Sequence, residues 1–358
     1  MSRKHFSWLL FVTFVVASLV LLLPGKTSRE SGMEPGEFLP DLEAQVNDID
    51  WLRLTAAGGV TVGTLTRGAD GWVLEEASSY PADWTKVKEL LSELSSARVI
   101  EVKTSNPDYY PRLGVEDISL PQAGGMMIEF SADSGLPALI SGNKAQGRTG
   151  QYARMVDSPA SVLIDASLDI PGTRIEWLDK SIVDISDAEV VEFEVVHPDG
   201  VSFKAMRLSA DDEDFLLQDI PVGQEVKSAW SVNSLANAMA KLELESVAPE
   251  GDFDWSNAVR FKLLTADGLI VDAELLARPA ASADKTADPE HWVRLQASVY
   301  TTAVEPEMNE GKDAADTADR ARAINDRVSG WAYRIPRYSF DTMSKRKGDL
   351  LQAIELQQ

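Results

Sequence analysis

The chain begins with an apolar run, Phe6 to Leu23 (FSWLLFVTFVVASLVLLL), that holds no charged residue. At about 1.5 Å rise per residue, a helix of this length nearly spans a hydrocarbon core of about 30 Å. Trp8 stands near one end, where an indole favours the interface. Pro24-Gly25 stops the run, and Lys26 and Arg29 lie within reach of headgroups. A cleaved signal peptide would have a shorter apolar core and a small-x-small site, which LLLPGK lacks. The pattern predicts an uncleaved membrane anchor over residues 1–23. Arg3 and Lys4 on one side balance Lys26 and Arg29 on the other, and His5 with the amino terminus tips the N-terminus inward.

Gly25-Lys26-Thr27 also matches the end of a phosphate-binding loop. That loop needs a glycine where this chain has Val20, followed by residues whose N–H groups can turn towards phosphate. Three leucines and Pro24 stand there instead, so no nucleotide is expected. From Thr27 to Asp41 the chain is rich in Pro, Gly, Ser and Glu and has no periodicity. It reads as a flexible tether, with residues 24–47 as linker.

Beyond residue 48 the apolar positions alternate, and the alternation recurs. IDWLRLT from Ile49, VTVGTLTR from Val60 and Trp72-Val73-Leu74 form one series. VVEFEVVHPDG from Val190, VSFKAMRL from Val201 and Phe215-Leu216-Leu217 form another. Glycine turns at Ala69-Asp70-Gly71 and His197-Pro198-Asp199-Gly200 join the runs. A helical stripe follows in each. Asp83 is expected to cap a helix that buries Trp84, Val87, Leu91 and Leu94, and Ser231 one that buries Val232, Leu235, Met239 and Leu242. Further strands then correspond, MMIEFSADSG (126–135) with AVRFKLLTADG (258–268), and QYARM (151–155) with HWVRL (291–295). The fold class expected is α+β: two tandem repeats of mainly antiparallel sheet, residues 48–180 and 181–358, each with one packed helix. The second copy has insertions near Ala280 to Pro289 and a polar helix-prone stretch, Lys312 to Arg327.

Composition narrows the function. With 34 basic and 57 acidic residues the net charge is −23, which repels nucleic acid and anionic lipid. The absence of cysteine avoids wrong disulfides in an oxidising compartment and excludes lipoprotein processing. The three histidines, His5, His197 and His291, lack the spacing of a helical zinc site, and His197 and His291 read as turn and surface residues. No Gly-x-Ser-x-Gly elbow occurs. Asp211 to Asp214 lacks the pattern of a calcium loop, and Asp184, Asp187 and Glu189 are near enough in sequence to pair by chance alone. No catalytic residue, cofactor or metal is assigned.

The ordered series WVLEEASSYPADWTKVKELLSELSSARVIEV, YPRLGV (110–115), QYARM and GWAYRIPRYSFDTM resembles the family known as domain of unknown function 4340. The resemblance extends over most of the chain after residue 48, in two copies. It implies an anchored envelope protein of bacteria, of a kind sometimes encoded beside ABC-transporter parts related to gliding-motility auxiliary proteins. It supplies no catalytic residues. The function expected is therefore that of a non-catalytic accessory or scaffold protein. Its body would stand in the periplasm, its N-terminus in the cytoplasm, and its partner would be a membrane protein such as a transporter subunit. The alternative is an anchored enzyme or glycan binder using a cleft between the repeats. Trp331, Tyr333, Arg334, Arg337 and Tyr338 crowd aromatic and basic groups into one short stretch, the composition of a contact surface. The other reading of that stretch is a final strand with Trp331 and Tyr333 turned inward and both arginines wet.

Overall fold

The computed structural model describes residues 36–207, 212–280, 288–300 and 313–354. The expected anchor, Phe6 to Leu23, lies outside the described residues, as does most of the Ala280 to Pro289 insertion. No helix among the described residues is long and apolar enough to cross a membrane.

The architecture is α+β with antiparallel sheets. The first large sheet uses β1 (Trp51–Ala56), β2 (Val60–Gly68), β3 (Gly71–Leu74), β4 (Tyr80–Pro81) and β5 (Val99–Val102). It is completed by β6 (Met126–Phe130), β7 (Leu139–Lys144), β8 (Gln151–Met155) and β9 (Ser161–Ile164). A connecting strand β10 (Ser181–Val183) follows. The second large sheet begins with β11 (Val190–Val196), β12 (Ser202–Met206) and β13 (Leu216–Leu217). After β14 (Gln224–Val226) and β15 (Leu242–Glu243) it resumes with β16 (Ser246–Pro249), β17 (Val259–Thr265) and β18 (Leu269–Arg278). It ends with β19 (Glu290–Val299) and β20 (Trp331–Arg334), and β21 (Leu351–Ala353) pairs with β14. The first sheet runs β4-β3-β2-β1-β6-β7-β8-β9-β5, and the second β13-β12-β11-β17-β18-β19-β20-β16. Apart from the extra edge strand β4, the two orders correspond strand for strand.

The helices are α1 (Leu42–Gln45), α2 (Trp84–Ser96), α3 (Tyr110–Leu113), α4 (Ala229–Ala236), α5 (Asp313–Val328), α6 (Arg337–Met343) and α7 (Lys347–Leu350). Asp83 caps α2 as expected, its carboxylate accepting from the Thr85 and Lys86 N–H groups. The buried stripe is Val87, Leu90, Leu91 and Leu94. Trp84 instead stands 53 % exposed. At the first helical position its side chain lies over the cap, outside the stripe that faces the sheet.

The second helix departs further from its expected form. Ser228 caps it, accepting from the Ser231 N–H at 3.2 Å, while the Ser231 hydroxyl donates back to the Ser228 carbonyl. The helix stops at Ala236, and Lys241 adopts φ 48° as the chain turns. Met239 is therefore buried in a turn and Leu242 in β15. The apolar spacing was real, but the helix ends before its last two members.

Two other expectations are corrected. The second half does not carry one packed helix. α5 also lies on it, burying Ala321 and Val328. Its Asn325 amide donates to the Ala297 carbonyl and its oxygen accepts the Ala297 N–H, both at 2.8 Å. That exchange imitates a neighbouring strand where β20 no longer covers β19. The linker, in turn, is not free over its whole length. Phe38, Leu39 and Leu42 are buried, and the Phe38 N–H donates to the Ala97 carbonyl at 2.8 Å. The apolar residues at its end outweigh the Pro and Gly around them, and they dock against the β5 edge.

A joint connects the sheets. Ala82, just after β4, bridges Leu178, and the Asp83 N–H donates to the Trp177 carbonyl at 2.8 Å. The same segment continues into β10, which pairs with β15. The Glu245 N–H then donates to the Arg334 carbonyl at 2.7 Å, at the start of the β16–β20 pairing. Tyr80 on β4 meets Trp331 and Tyr333 on β20 edge-on, at ring separations of 5.1 and 6.0 Å.

Changing Leu91 to Ala is expected to cost about 2–5 kcal/mol in urea unfolding, because it empties a buried position. Trp84→Ala is expected to stay within about 0.5 kcal/mol, as for an exposed side chain. Equal costs would contradict the observed stripe.

Candidate functional site

In both large sheets alternate residues face away from the shared core. On the first sheet, Met127, Ile140 and Arg154 form one cross-strand rung on that outer face. A loop covers it, running from 103 to 125 and containing α3. Tyr110 and Val115 pack on Ile140, with Leu113, Met127 and Tyr152 around them. Gly125 and Gly142 permit this contact, since a Cβ at either would collide with the Gly114 and Leu113 carbonyls. Arg154 is only 8 % exposed. Its guanidinium lies 4.9 Å from the Tyr110 ring centre, and its Nε donates to the Val115 carbonyl at 2.9 Å. Its Nη1 donates to the carbonyls of Val156 and Ser158, each at 3.2 Å.

The corresponding rung of the second sheet is Arg260, Glu274 and Arg294. The loop before β17 runs only from 250 to 258, and it reaches one end of the face. Its Phe253 packs against both Trp255 and Trp292, and arginines lie over the rings: Arg278 4.5 Å from the Phe253 ring centre and Arg294 5.0 Å from that of Trp255. The rest stays open as a cleft of about 610 Å³, lined by Glu250, Arg260, Asp272, Glu274, Arg294 and Gln296 together with the end of α5.

Charge in this cleft is unevenly satisfied. Glu274 accepts from Arg260 Nε at 3.1 Å and from Arg294 Nε at 2.6 Å. Glu250 stands 3.9 Å from Arg294. Asp272 occupies the next rung, between Lys262 and Gln296. It makes no hydrogen bond or ion pair among the described residues. The residue as a whole is exposed, but partial loss of hydration where its carboxyl meets the cleft wall pushes that group above the usual range, against the opposing charges of Lys262 and Arg260.

The five residues expected to form a contact surface are divided by Pro336, which precedes α6. Tyr333 is 0 % exposed, its hydroxyl donating to the Arg327 carbonyl at 3.2 Å, so it offers nothing to a partner. Burial pushes its phenol up. Trp331 is half-buried against Tyr80. Arg334 is half-buried too, 3.6 Å from Glu245 and 3.9 Å from Glu290. Arg337 and Tyr338 alone stand out, Tyr338 at 74 % exposure and Arg337 paired with Asp341 one turn on.

Other sequence candidates settle into structural places. His197 is buried rather than on the surface, its Nε2 lying 3.1 Å from the Lys345 carbonyl. His291 stacks on Phe340 at 4.6 Å. Asp184 accepts the Lys241 N–H, Asp187 the Ala188 N–H, and Glu189 pairs with Arg320 at 2.6 Å. These acids cap turns and anchor α5 rather than face one another. Asp214 accepts from the Asn233 amide at 2.8 Å, and Asp211 lies outside the described residues. No group of three His, Asp or Glu side chains among the described residues is placed to hold a metal.

The raised Asp272 carboxyl has a stability consequence. A folded-state pKa above the unfolded one means that the folded chain binds the extra proton, so stability is lost as pH rises from the usual Asp value of about 4. Asp272→Asn removes that loss. In urea titrations the variant is expected to exceed the native chain at pH 7, with the gap closing below about pH 4. A variant less stable at pH 7 would contradict it.

No curated protein matches the chain, and no solved structure matches it. One family model does, over residues 72–259, in a single stretch that crosses from the first sheet into the second. That stretch begins at Trp72 on β3 and ends at the first residue of β17, just over half of the chain. The chain belongs to the family described as Domain of unknown function (DUF4340).

Proposed function

We propose that this chain is a non-catalytic accessory or scaffold protein of a bacterial inner membrane. Phe6 to Leu23 anchors it, the N-terminus faces the cytoplasm, and the body acts in the periplasm beside an ABC-type transport system. The two large sheets are tandem copies of one unit in this reading, which their corresponding strand orders support. The observation that carries the contact function is the exposed pair Arg337 and Tyr338. They project from α6, which follows β20, the strand whose Trp331 and Tyr333 meet Tyr80 at the joint. Tyrosine and arginine are enriched where proteins meet, because each offers wide contact area with a polar tip. Trp230 is exposed on α4, and α4 is tied to the end of α6 by the Lys345 ammonium, which donates to Ser234 at 3.0 Å.

The second reading, an anchored enzyme or glycan binder, draws on the cleft over Arg260, Glu274 and Arg294. That cleft lies on one sheet rather than between the halves. A catalytic use would need a second group of shifted pKa converging with Asp272.

Two measurements test the accessory reading. A reporter fused after Gln358 is expected to be active only when exported, and activity of a cytoplasm-only reporter there would reverse the topology. A photo-crosslinking residue at position 338 is expected to join the chain to a transporter subunit in membranes. Arg337→Ala should weaken that adduct by about tenfold if the side chain is a central contact. Adducts only to copies of the same chain would remove the transporter partner.

A further inference from the structure

We propose that the cleft on the outer face of the second sheet receives a peptide loop of a partner protein carrying a basic side chain. The loop would take the position that residues 113–115 take over the first sheet. The proposal rests on the accessory-protein reading and names a second contact surface for it.

The precedent lies within the chain. Arg154 and Arg294 occupy the same place in the two strand orders, each on the rung shared with the strand before it. Each stacks on an aromatic ring from the loop that precedes the first strand of its meander, Tyr110 before β6 in one case and Trp255 before β17 in the other. In the first half that loop also delivers a backbone carbonyl, Val115, to the guanidinium. In the second half the loop is too short to do so. The donors of Arg294 turn to Glu274 and Glu250 instead, and the space stays open.

The lining has changed with the cover. Met127 and Ile140, apolar beneath the first loop, correspond to Arg260 and Glu274 beneath the cleft. Among the lining residues acids outnumber bases, with Glu250, Asp272 and Glu274 against Arg260 and Arg294, while Lys262 stands opposite Asp272 at the margin of the cleft. Glu274 is occupied by both arginines, whereas among the described residues Asp272 makes no hydrogen bond or ion pair and stands beside Gln296 across the β18–β19 pair. A ligand that fits therefore brings a carbonyl for Arg294 and a cation for Asp272. A peptide loop with Lys or Arg has both. A second copy of the chain, with net charge −23, is opposed by like charge.

The probe is the capped peptide YPRLGV, the sequence of residues 110–115, which carries the ring, the carbonyl and a basic third residue. It is titrated into the full-length chain in detergent, with isothermal calorimetry as the readout. Saturable binding is expected. Asp272→Asn, Gln296→Lys and an alanine at the third peptide position should each weaken it about tenfold or more, as for loss of one partner of a charge pair. Glu129→Gln on the first sheet should leave it unchanged. Absence of saturation with YPRLGV and with its Lys-for-Arg analogue overturns the proposal, as does binding indifferent to Asp272→Asn. Self-association abolished by Asp272→Asn would assign the cleft to a second copy and overturn it as well. Cross-links from position 338 report the accessory reading separately. If they persist while the peptide fails to bind, the cleft proposal alone falls. If they vanish while peptide binding remains, the accessory reading falls.

Discussion

The structure depends on one backbone segment, residues 177–183, that hydrogen-bonds backward to the first sheet and forward to β15. A strand edge leaves unpaired N–H and C=O groups, and leaving them buried without partners is costly. This segment supplies partners to Ala82 and Asp83 on one side and, through β10, to Leu242 and Glu243 on the other. Both sheets are fixed by it, which sets Tyr80 against Trp331 and Tyr333. The apolar core then runs without interruption from Phe38 to Leu351. A boundary drawn at residue 180 falls within the joint itself, and the family match likewise runs across it.

Local pattern was legible wherever local forces decide. Strand alternation, the glycine turns at Gly71 and Gly200, and the Asp83 cap each follow from residues within a few positions of one another. Ser231 against Ser228 shows the limit, since two serines three apart compete for one cap and backbone conformation selects between them. Phe38 and Tyr333 show another. The fate of Phe38 depends on the Ala97 carbonyl far along the chain, and that of Tyr333 on Tyr80. Neither partner is visible in a window of sequence. The cleft was hidden for the same reason. QYARM and HWVRL align Arg154 with Arg294, but only loop length decides which arginine is covered.

Those two arginines show how one framework yields a closed and an open face. A buried guanidinium must place its donors, and Arg154 does so on backbone carbonyls, which holds the 103–125 loop in register. Arg294, only half-buried, places its donors on the carboxylates of Glu274 and Glu250 instead. The first arrangement costs a long ordered loop and yields a fixed surface. The second needs no such loop and leaves a face that another molecule can complete.

Edge closure also restricts how this chain can meet others. The β5 edge is taken by residues 36–38, the β4 edge by residues 177–179, and the stretch of β19 beyond β20 by Asn325 of α5. The edge strand β13 is two residues long. Strand addition is a common route to protein association, but it needs a long free edge. The β16 edge, four residues long, ends in Pro249, which has no N–H to offer. With the other edges taken or short, recognition relies chiefly on side chains on sheet faces and helices. Side-chain recognition is selective by charge, and a chain of net charge −23 selects against acidic partners at a distance before any contact forms. Within that field, Arg337 and Arg294 are local exceptions, each already beside an acid that a partner must displace or share. A partner of the kind proposed would therefore bring basic groups of its own, to be read by the acids that now pair with these arginines.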